Sequence, residues 1–448
     1  MSGTALLYIL SQYTTVERLI LLEKNESVGS INSAAWNNSQ TLHVGDIETN
    51  YSIDKVKQVR LASMMVRRYA DHLEEAARRS ILFPTPKMVL AIGRMEVERL
   101  EKRYVALKSI FPRLEKLDRT GITKIEPAVM EGRDPEQPIM ALFNPEGYAV
   151  HFGELAKSFV KESRPDNGRC IEVQLQQKVL HIAKRLDGSY ELTTKAGLII
   201  ARVVVVDADS YSLGFAKALG YGQNFSLIPI AGSFYFSAKK LQGKVYTLQE
   251  PKLPFAAVHG DPDILISDTT RWGPTAEFIP VLESRNARTV FDYFKTSGLN
   301  RWRTWKSFFV ILLEPIRFWY LARNILYILP VVGKYFFLSS VRKIVPSMRG
   351  RDLKRARGFG GMRLQRVDIT KSELQLGEGK IVGDSIIFNM TPSPGASVCL
   401  YNAWRDTEKI MEFLAGQYHF DRERLVHDLF EESGFEKGDI SLKQSYSS

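Results

Sequence analysis

Two residues near the start of the chain have the types and spacing of part of a dinucleotide-binding site. Gly3 opens a stretch that is apolar on one helical face, and Glu23 ends the apolar run that starts at Arg18, 20 positions after the glycine. In a dinucleotide-binding βαβ unit, such a glycine lets the backbone approach a pyrophosphate, and an acidic residue about 20 positions later hydrogen-bonds a ribose. An ordinary amphipathic helix before an ordinary strand would look the same, so both interpretations stay open.

Three further segments have compositions that suit a ligand. The loop 25–51 is rich in Ser, Asn and Gly, and a glycine-rich run precedes Arg363. The small residues of 391–397 lead into a predicted helix that begins at Ala396, and a helix N-terminus offers free N–H groups to an anionic ligand edge. A plain surface loop is the commoner use of a composition like that of 25–51.

The alternation of helical and strand patterns predicts a mixed α/β fold. The run 198–206 predicts a central parallel strand, and Asp207 and Asp209 follow it, where open α/β sheets bind ligands. Residues 229–236 begin a second sheet, which further strands extend. A chain of 448 residues exceeds one typical domain, so we expect two.

Composition narrows the class of protein and of partner. The net charge of +11 indicates an acidic partner, such as an anionic membrane surface, nucleic acid or an anionic substrate. Cys170 and Cys399 are the only cysteines, which excludes a disulfide framework and fits a reducing compartment. The N-terminal residues lack the signal-peptide pattern, and no apolar run reaches the ~20 residues of a spanning helix.

In residues 301–348, aromatic and basic side chains are interspersed along the sequence. The combination suits the headgroup zone of a membrane, as an interfacial element that does not span it. A cap of helices with an aromatic core is the main alternative. Nucleic acid is the least favoured partner, because no recognisable binding motif accompanies the aromatics.

Six motifs, in this order, give the chain a family resemblance. They are NNSQTLHVG (37–45) with ETNY (48–51), PAVMEG (127–132), PIAGS (229–233), KLPFAAVHGD (252–261), RWGPT (271–275) and NMTPSPGAS (389–397). Together they resemble the flavin-dependent oxidoreductases of the D-amino-acid-oxidase type, most closely the malate:quinone oxidoreductases in their shorter bacterial form. The L-2-hydroxyglutarate oxidases share several motifs and are the nearest competitor.

The resemblance implies a Rossmann-like FAD-binding domain with an inserted antiparallel-sheet substrate domain and a helical cap. It implies FAD as cofactor, oxidation of L-malate to oxaloacetate, and transfer of electrons to a membrane quinone in the tricarboxylic acid cycle. It also implies a peripheral enzyme on the cytoplasmic face of the bacterial inner membrane. By position, the cofactor-binding residues are Gly3, Glu23, Lys24, Asn38, Ser39, Gln40, Thr41, Val179, Ala208, Pro394, Gly395, Ala396 and Ser397.

The reaction also needs a base and cations. Histidine has a suitable pKa for taking the 2-hydroxyl proton. Within the resemblance we favour His259 as the base, with His43 beside the flavin ring. The two carboxylates of malate need fixed cations, for which the arginine fork is suited. Arg363 is the first choice and Arg271 the second, with Gly232 and Ser233 as further substrate-binding residues.

The sequence departs from the family pattern at two places. The first strand and glycines of the nucleotide-binding turn do not occur in it, and we expect the true start to lie upstream and the sequence to be N-terminally truncated. Asp209 stands where relatives carry a small residue, and its carboxylate would repel FAD phosphates unless it points away or binds a cation.

The resemblance also predicts how the chain is divided. The FAD-binding domain takes 1–80, 150–225 and 360–420, and the substrate and cap domain takes 81–149 and 226–359. Residues 301–348 of the cap face the membrane, and 421–448 form a C-terminal tail. Two other functions remain open: oxidation of a different 2-hydroxy acid, such as L-2-hydroxyglutarate, and a flavin-free membrane-surface protein.

Overall fold

A computed structural model describes residues 1–44, 47, 49–163, 168–249, 257–329, 331–375, 379–391 and 394–430. Some motif positions (Gly45, Glu48, 252–256, Pro392 and Ser393) and part of the predicted tail (431–448) lie outside the described residues. The helices of the described part are α1 Ser2–Tyr13, α2 Ile53–Asp71, α3 Glu75–Ile81, α4 Arg94–Lys108, α5 Arg119–Ile125, α6 Pro127–Met130, α7 Phe152–Glu162, α8 Ser212–Ala218, α9 Val290–Ser297, α10 Trp302–Leu312, α11 Pro315–Ile328, α12 Gly333–Ile344, α13 Cys399–Phe413 and α14 Arg422–Phe430.

The strands are distributed over several small sheets and one large sheet. Their bounds are β1 Arg18–Leu22, β2 Thr41–Leu42, β3 Leu82–Pro84, β4 Lys87–Ile92, β5 Glu115–Leu117, β6 Ile139–Asn144, β7 Tyr148–Val150, β8 Cys170–Gln174, β9 Val179–Lys184, β10 Tyr190–Thr194, β11 Gly197–Ala201, β12 Val204–Val206, β13 Phe225–Ala231, β14 Tyr235–Ala238, β15 Lys244–Thr247, β16 His259–Pro262, β17 Thr269–Gly273, β18 Glu277–Phe278, β19 Lys354–Arg355, β20 Met362–Asp368, β21 Glu373–Gln375, β22 Gly379–Gly383 and β23 Ile386–Met390.

Two parallel strand pairs lie beside the first helix. β1 pairs in parallel with β8, and β12 pairs in parallel with β23. A Cβ on Gly3 would lie 3.6 Å from the Cβ of Asp207, just after β12, and 3.9 Å from Leu21 of β1. The helix α1 therefore begins beside the carboxyl ends of both parallel pairs, and its apolar residues Ala5 and Ile9 are fully buried in a core shared with α13.

The two largest sheets are mainly antiparallel. The large sheet has the order β19-β14-β17-β16-β15-β4-β6-β5, in which only β15 and β4 pair in parallel. A second sheet, β18-β13-β20-β21, places Arg363 of β20 opposite Ile230 of β13 and Gln365 opposite Ile228. The helices α10 and α11 contact this second sheet, and α12 contacts β15 and β16 of the large sheet. The predicted mixed α/β fold is thereby confirmed.

Several predicted elements are divided in the structure. The single strand predicted at 198–206 is two, because β11 completes an antiparallel hairpin with β10 whereas β12 pairs with β23. The strand predicted at 229–236 also breaks, since β13 and β14 belong to different sheets. The helix predicted from Ala396 begins at Cys399, after a turn.

The predicted C-terminal tail begins with a packed element. Residues 422–430 form α14, which contacts α2, and its Leu425 and Leu429 are buried in the same core as α1. The assignment of these nine residues to a peripheral tail was therefore wrong. The charged composition concealed an apolar face at helical spacing.

The aromatic contacts between α1, α2 and α7 predict a position at which a substitution lowers the free energy of unfolding. Phe159 is fully buried, with ring centroids 5.6 Å from Tyr8 and 4.6 Å from Tyr69. Phe159→Ala should lower the free energy of unfolding by about 3–5 kcal/mol, because it removes the ring and leaves a cavity. The matched control is Phe291→Ala on α9, whose ring is 80% exposed, with an expected change of about 0.5 kcal/mol or less. Equal shifts in the urea midpoints of the two variants would contradict the packing described.

Candidate active site

The polar loop after β1 is held in place largely by its own side chains. Asn38 Nδ2 donates to the carbonyls of Asn32 (3.0 Å) and Ala34 (2.9 Å), and Gln40 Nε2 donates to Ala35 O (3.1 Å). Gln40 is fully buried and has a positive φ of 53°. Of the residues predicted to contact the cofactor here, Asn38 and Gln40 therefore use their amides to brace the loop.

Arg271 fixes this loop to the large sheet. Its side chain is fully buried, and Nε donates to Asp263 Oδ2 at 2.7 Å. The terminal nitrogens donate to Asn38 O (2.5 Å) and Ala35 O (3.3 Å), and Nη2 also pairs with Asp263. All of these contacts of the guanidinium are with protein groups. Arg271 therefore positions the loop, whereas the sequence analysis predicted a contact with a substrate carboxylate.

His259 and Asp261 lie on the same face of β16 and are both buried. His259 Nδ1 lies 3.0 Å from Ala257 O, and since a carbonyl only accepts, this nitrogen carries the hydrogen. His259 Nε2 therefore keeps its lone pair. This atom lies 3.6 Å from Asp261 Oδ1, and neither atom has a hydrogen-bond partner among the described residues. Two buried polar atoms without hydrogen-bond partners in the described ranges lie close together here, which indicates a site where another molecule binds.

Cations surround the imidazole of His259. Burial lowers its pKa well below the usual value, and the charges of Lys244, Arg363 and Lys87 lower it further. Burial also raises the pKa of the Asp261 carboxyl. The imidazole is therefore neutral at neutral pH, which is the state a general base requires.

Lys244 is a member of this cluster that the sequence analysis missed. Its ammonium is almost fully buried, lies 3.5 Å from Asp261 Oδ1, and donates to Ser39 O (3.1 Å) and to Thr41 Oγ1. Lys244 stands directly opposite Lys87, the first residue of the parallel strand β4. The available signal was a lysine at the start of each of two otherwise apolar strands.

Thr41 connects this cluster to the second predicted histidine. Ser397 Oγ donates to Thr41 O (3.1 Å), and His43 Nδ1 lies 2.8 Å from the same Ser397 Oγ. The loop and the turn before α13, which the resemblance assigns to cofactor binding, are thus in direct contact. A chain of contacts runs from Ser397 through Thr41 and Lys244 to Asp261.

The glycine-rich run before Arg363 approaches protein backbone. A Cβ on Gly360, whose φ is +115°, would fall 2.0 Å from Gly232 O, and one on Gly361 would fall 2.5 Å from Asn37 O. Gly232 N donates to Gly361 O at 3.0 Å. These contacts bring the start of β20, and with it Arg363, against the polar loop. The sequence predicted that the glycine-rich backbone closely approaches a ligand, and in the structure it closely approaches this loop.

Ser233 belongs to a network of protein groups at the end of β13. Its hydroxyl lies 2.8 Å from Thr275 Oγ1 and 2.7 Å from Glu277 Oε1. Arg355 contacts the same Glu277 oxygen at 3.3 Å. The structure places Gly232 and Ser233 next to the candidate site but gives Ser233 protein partners.

The residues predicted near the adenosine part of a cofactor lie around the ends of β1 and β12. Glu23 Oε1 accepts from Asn25 N (2.9 Å) and Asn25 Nδ2 (2.6 Å), which holds this carboxylate just after β1. Lys24 pairs with Glu283, and its ammonium lies 4.6 Å from the ring centroid of Tyr211. The remaining two, Val179 and Ala208, begin β9 and follow β12 respectively.

Asp209 has a protein partner in the structure. Its carboxylate accepts from Asn32 Nδ2, and burial raises its pKa. Asp207 likewise accepts from Asn389 Nδ2 at 2.9 Å, and burial together with the charge of Asp406 raises the pKa of Asp207. Each of these two carboxyls is thus held by the side-chain amide of an asparagine.

Comparison with solved structures finds other proteins with the same fold. A glycine oxidase from Geobacillus kaustophilus superposes with a TM-score of 0.60 at 13% identity, over 92% of this chain and 91% of that chain. An L-α-glycerophosphate oxidase from Mycoplasma pneumoniae, solved with FAD bound, superposes with a TM-score of 0.61 at 15% identity, over 93% of each chain. At these identities the likeness concerns the fold.

Sequence comparison identifies the family. The sequence model described as malate:quinone oxidoreductase (Mqo) matches residues 1–402. A malate:quinone oxidoreductase of Helicobacter pylori (strain ATCC 700392 / 26695) is 40% identical over 438 residues, which cover 96% of this chain and 95% of that protein. A probable malate:quinone oxidoreductase of Campylobacter jejuni is 38% identical over 431 residues, covering 94% and 95%. The chain therefore belongs to the malate:quinone oxidoreductase family.

Proposed function

We propose that this enzyme oxidises L-malate at the cluster formed by His259, Asp261, Lys244 and Arg363. The chain is an oxidoreductase of the malate:quinone type, so its reaction converts malate to oxaloacetate and passes the electrons to a quinone. The observation that carries the location is the buried lone pair of His259 Nε2, which has no partner among the described residues and is surrounded by cations. A dianionic 2-hydroxy acid supplies what this environment lacks: a hydroxyl proton for the base and negative charge for the cations.

In this proposal the redox cofactor is FAD. Glu23 would hold a ribose hydroxyl, the backbone of 38–41 would line the cofactor, and the turn 394–397 would bind at the pyrimidine edge of the flavin. The cofactor supplies the hydride acceptor. The contact of Ser397 with Thr41 supports this arrangement, because it brings the loop 38–41 and the turn 394–397 together.

His259 takes the proton of the 2-hydroxyl through Nε2, since Nδ1 is committed to Ala257 O. Arg363 orients a substrate carboxylate, and the buried location excludes water from the imidazole. Lys244, whose ammonium is held by Ser39 O, Thr41 Oγ1 and Asp261, contributes positive charge to the cluster. His43 is the alternative base, because its contact with Ser397 places it at the proposed flavin edge.

We also propose that the aromatic surface of α10–α12 rests on an anionic membrane surface at the cytoplasmic face. Trp302 is 74% exposed and Trp319 is 71% exposed, an unusual state for the largest apolar side chain. Exposed Arg303 and Lys306 share this surface. No helix in the described ranges has the length and hydropathy needed to cross a bilayer.

In the proposed division into domains, one domain binds the cofactor and the other binds the substrate. Residues 1–80, 150–225 and 360–420 hold the cofactor, and 81–149 with 226–359 hold the substrate and carry the membrane surface. The packing of α14 on α2 supports the extension of the first domain to residue 430.

The base is tested by substitution. His259→Asn should lower malate turnover by about 10²–10⁴-fold, because the proton acceptor is lost, while the purified protein keeps its flavin absorbance. His151→Asn is the matched control, since His151 only caps α7 through Glu154 N. Near-normal turnover of His259→Asn, combined with loss of turnover in His43→Asn, would transfer the role to His43.

The pKa of His259 predicts the pH profile. Its lowered value keeps the imidazole neutral as the pH falls through 6.5, where an ordinary histidine would be half protonated. We therefore expect kcat/KM for malate to hold its plateau through pH 6.5 and to decline only below it. A decline that begins above pH 7 in the wild type, and is unchanged in His259→Asn, would contradict the assignment.

The membrane surface is tested with vesicles. The protein should co-sediment with vesicles that contain anionic phospholipid, and less so at high salt, because part of the attraction is electrostatic. Arg303→Glu/Lys306→Glu should abolish the salt-dependent part of binding. The control Lys102→Glu/Lys124→Glu makes the same charge change on exposed residues of α4 and α5. If both double variants lose binding equally, the attraction is due to net charge and the proposed surface is refuted.

A further inference from the structure

A buried carboxyl faces the proposed base across a short gap. Asp261 Oδ1 lies 3.6 Å from His259 Nε2, and neither atom has a hydrogen-bond partner among the described residues. The two side chains are 3% and 2% exposed, so the gap is shielded from bulk water. Both atoms are acceptors, because the hydrogen of the neutral imidazole is on Nδ1 and points to Ala257 O. The two lone pairs therefore repel each other as long as the imidazole is neutral.

The strand β16 holds these two side chains on one face. It is paired on both sides, with β15 and with β17. On its other face, a Cβ on Gly260 would fall 2.5 Å from a ring carbon of the fully buried Trp272. On β15, the ring centroid of Tyr246 lies 5.2 Å from that of His259. Because the strand is enclosed in this way, its backbone fixes the distance between the imidazole and the carboxyl.

The ammonium of Lys244 lies on the other side of the same carboxyl oxygen. Its Nζ is 3.5 Å from Asp261 Oδ1, and it is kept there by donating to Ser39 O and Thr41 Oγ1. Burial raises the pKa of the Asp261 carboxyl, and the charge of Lys244 opposes that rise. Lys244 thus favours the ionised carboxyl, which accepts hydrogen bonds and donates none.

Transfer of a proton to His259 Nε2 reverses the character of this contact. The imidazolium N–H is a donor, and a charge-assisted hydrogen bond from it to a carboxylate is about 2.7–2.9 Å long, so a small rotation of the side chains closes the 3.6 Å gap. The contact is therefore unfavourable in the resting enzyme and favourable once the base holds a proton. An interaction that strengthens between ground state and transition state raises kcat, whereas one that is equal in both lowers KM.

We infer that Asp261 is a positioning residue of malate oxidation, which stabilises His259 after this base has taken the 2-hydroxyl proton. In that step the O–H bond of malate breaks as the Nε2–H bond forms, and the hydrogen on C2 leaves with its electron pair to the hydride acceptor. Malate is oxidised, FAD is reduced, and the proton remains on His259 beside Asp261. The inference rests on the proposed function, because it takes His259 as the base.

A double-mutant cycle tests the inference in the flavin-containing enzyme. Asp261→Asn should lower kcat for malate by about 10–10³-fold, because an opposite charge this close changes the pKa of the base by about 1–3 units. The malate KM should change by less than about threefold. In the His259→Asn background, Asp261→Asn should change kcat by less than about threefold, because the imidazole through which Asp261 acts is absent. Equal losses of kcat in both backgrounds would indicate a purely structural role and would overturn the inference.

Succinate supplies a readout that does not depend on turnover. It is a dicarboxylate without the 2-hydroxyl, and its Kd is measured from the change in flavin absorbance. In Asp261→Asn this Kd should stay equal or fall, because a negative charge near a dianion has been removed. A higher Kd would show that the substitution damages the site as a whole and would contradict the inference. Asp268→Asn is the matched control, since Asp268 is exposed in the turn before β17, and it should leave kcat and the succinate Kd unchanged.

The outcomes separate this inference from the proposed function. If His259→Asn keeps the wild-type turnover, the proposed base is wrong and the role of Asp261 is refuted with it. If His259→Asn loses turnover and Asp261→Asn does not, the base stands and only the role of Asp261 is refuted. If Asp261→Asn is purified without flavin, Asp261→Ser, which also removes the charge, takes its place in the cycle with the same expected results.

Discussion

The buried pair of Arg271 and Asp263 is the interaction on which the site geometry depends. Moving both charges out of water costs several kcal/mol each, and only good geometry with further hydrogen bonds offsets that cost. Here the further bonds go to Ala35 O and Asn38 O, so the same guanidinium that neutralises Asp263 also holds the loop. That loop carries Thr41, through which Ser397 and Lys244 meet. The sheet, the loop and the turn before α13 are thereby fixed relative to one another.

The sequence predicted those features that depend on local pattern or on family motifs. The first helix, the strand after it, the mixed fold and the family were all confirmed. The family name follows from motifs spread over the chain, which retain their order whatever the tertiary contacts. The roles of Arg271 and Lys244 could not be predicted in the same way. A guanidinium or ammonium on a strand becomes a substrate ligand or a brace according to what packs above it, and that is decided by loops distant in sequence.

The cluster around His259 shows how charge and burial cooperate. Burial alone makes the imidazole a neutral group, and the nearby cations keep it neutral while attracting anions. Asp261, on the same strand, balances one of these cations without hydrogen-bonding His259 Nε2. The result is a buried base within a positive environment, which favours an acid whose own charges complete the neutralisation.

The exposed aromatic helices have a kinetic consequence. On the membrane surface proposed for α10–α12, the enzyme would meet its quinone in the plane of the membrane, so the relevant concentration would be the mole fraction of quinone in lipid. Expanding the lipid area at constant total quinone then slows turnover by surface dilution, although nothing in the aqueous phase has changed. The dependence of the turnover rate on malate, in contrast, is set by the concentration of malate in the bulk water. The turnover rate would therefore depend on two concentrations of different kinds: that of malate per volume of water and that of quinone per area of bilayer.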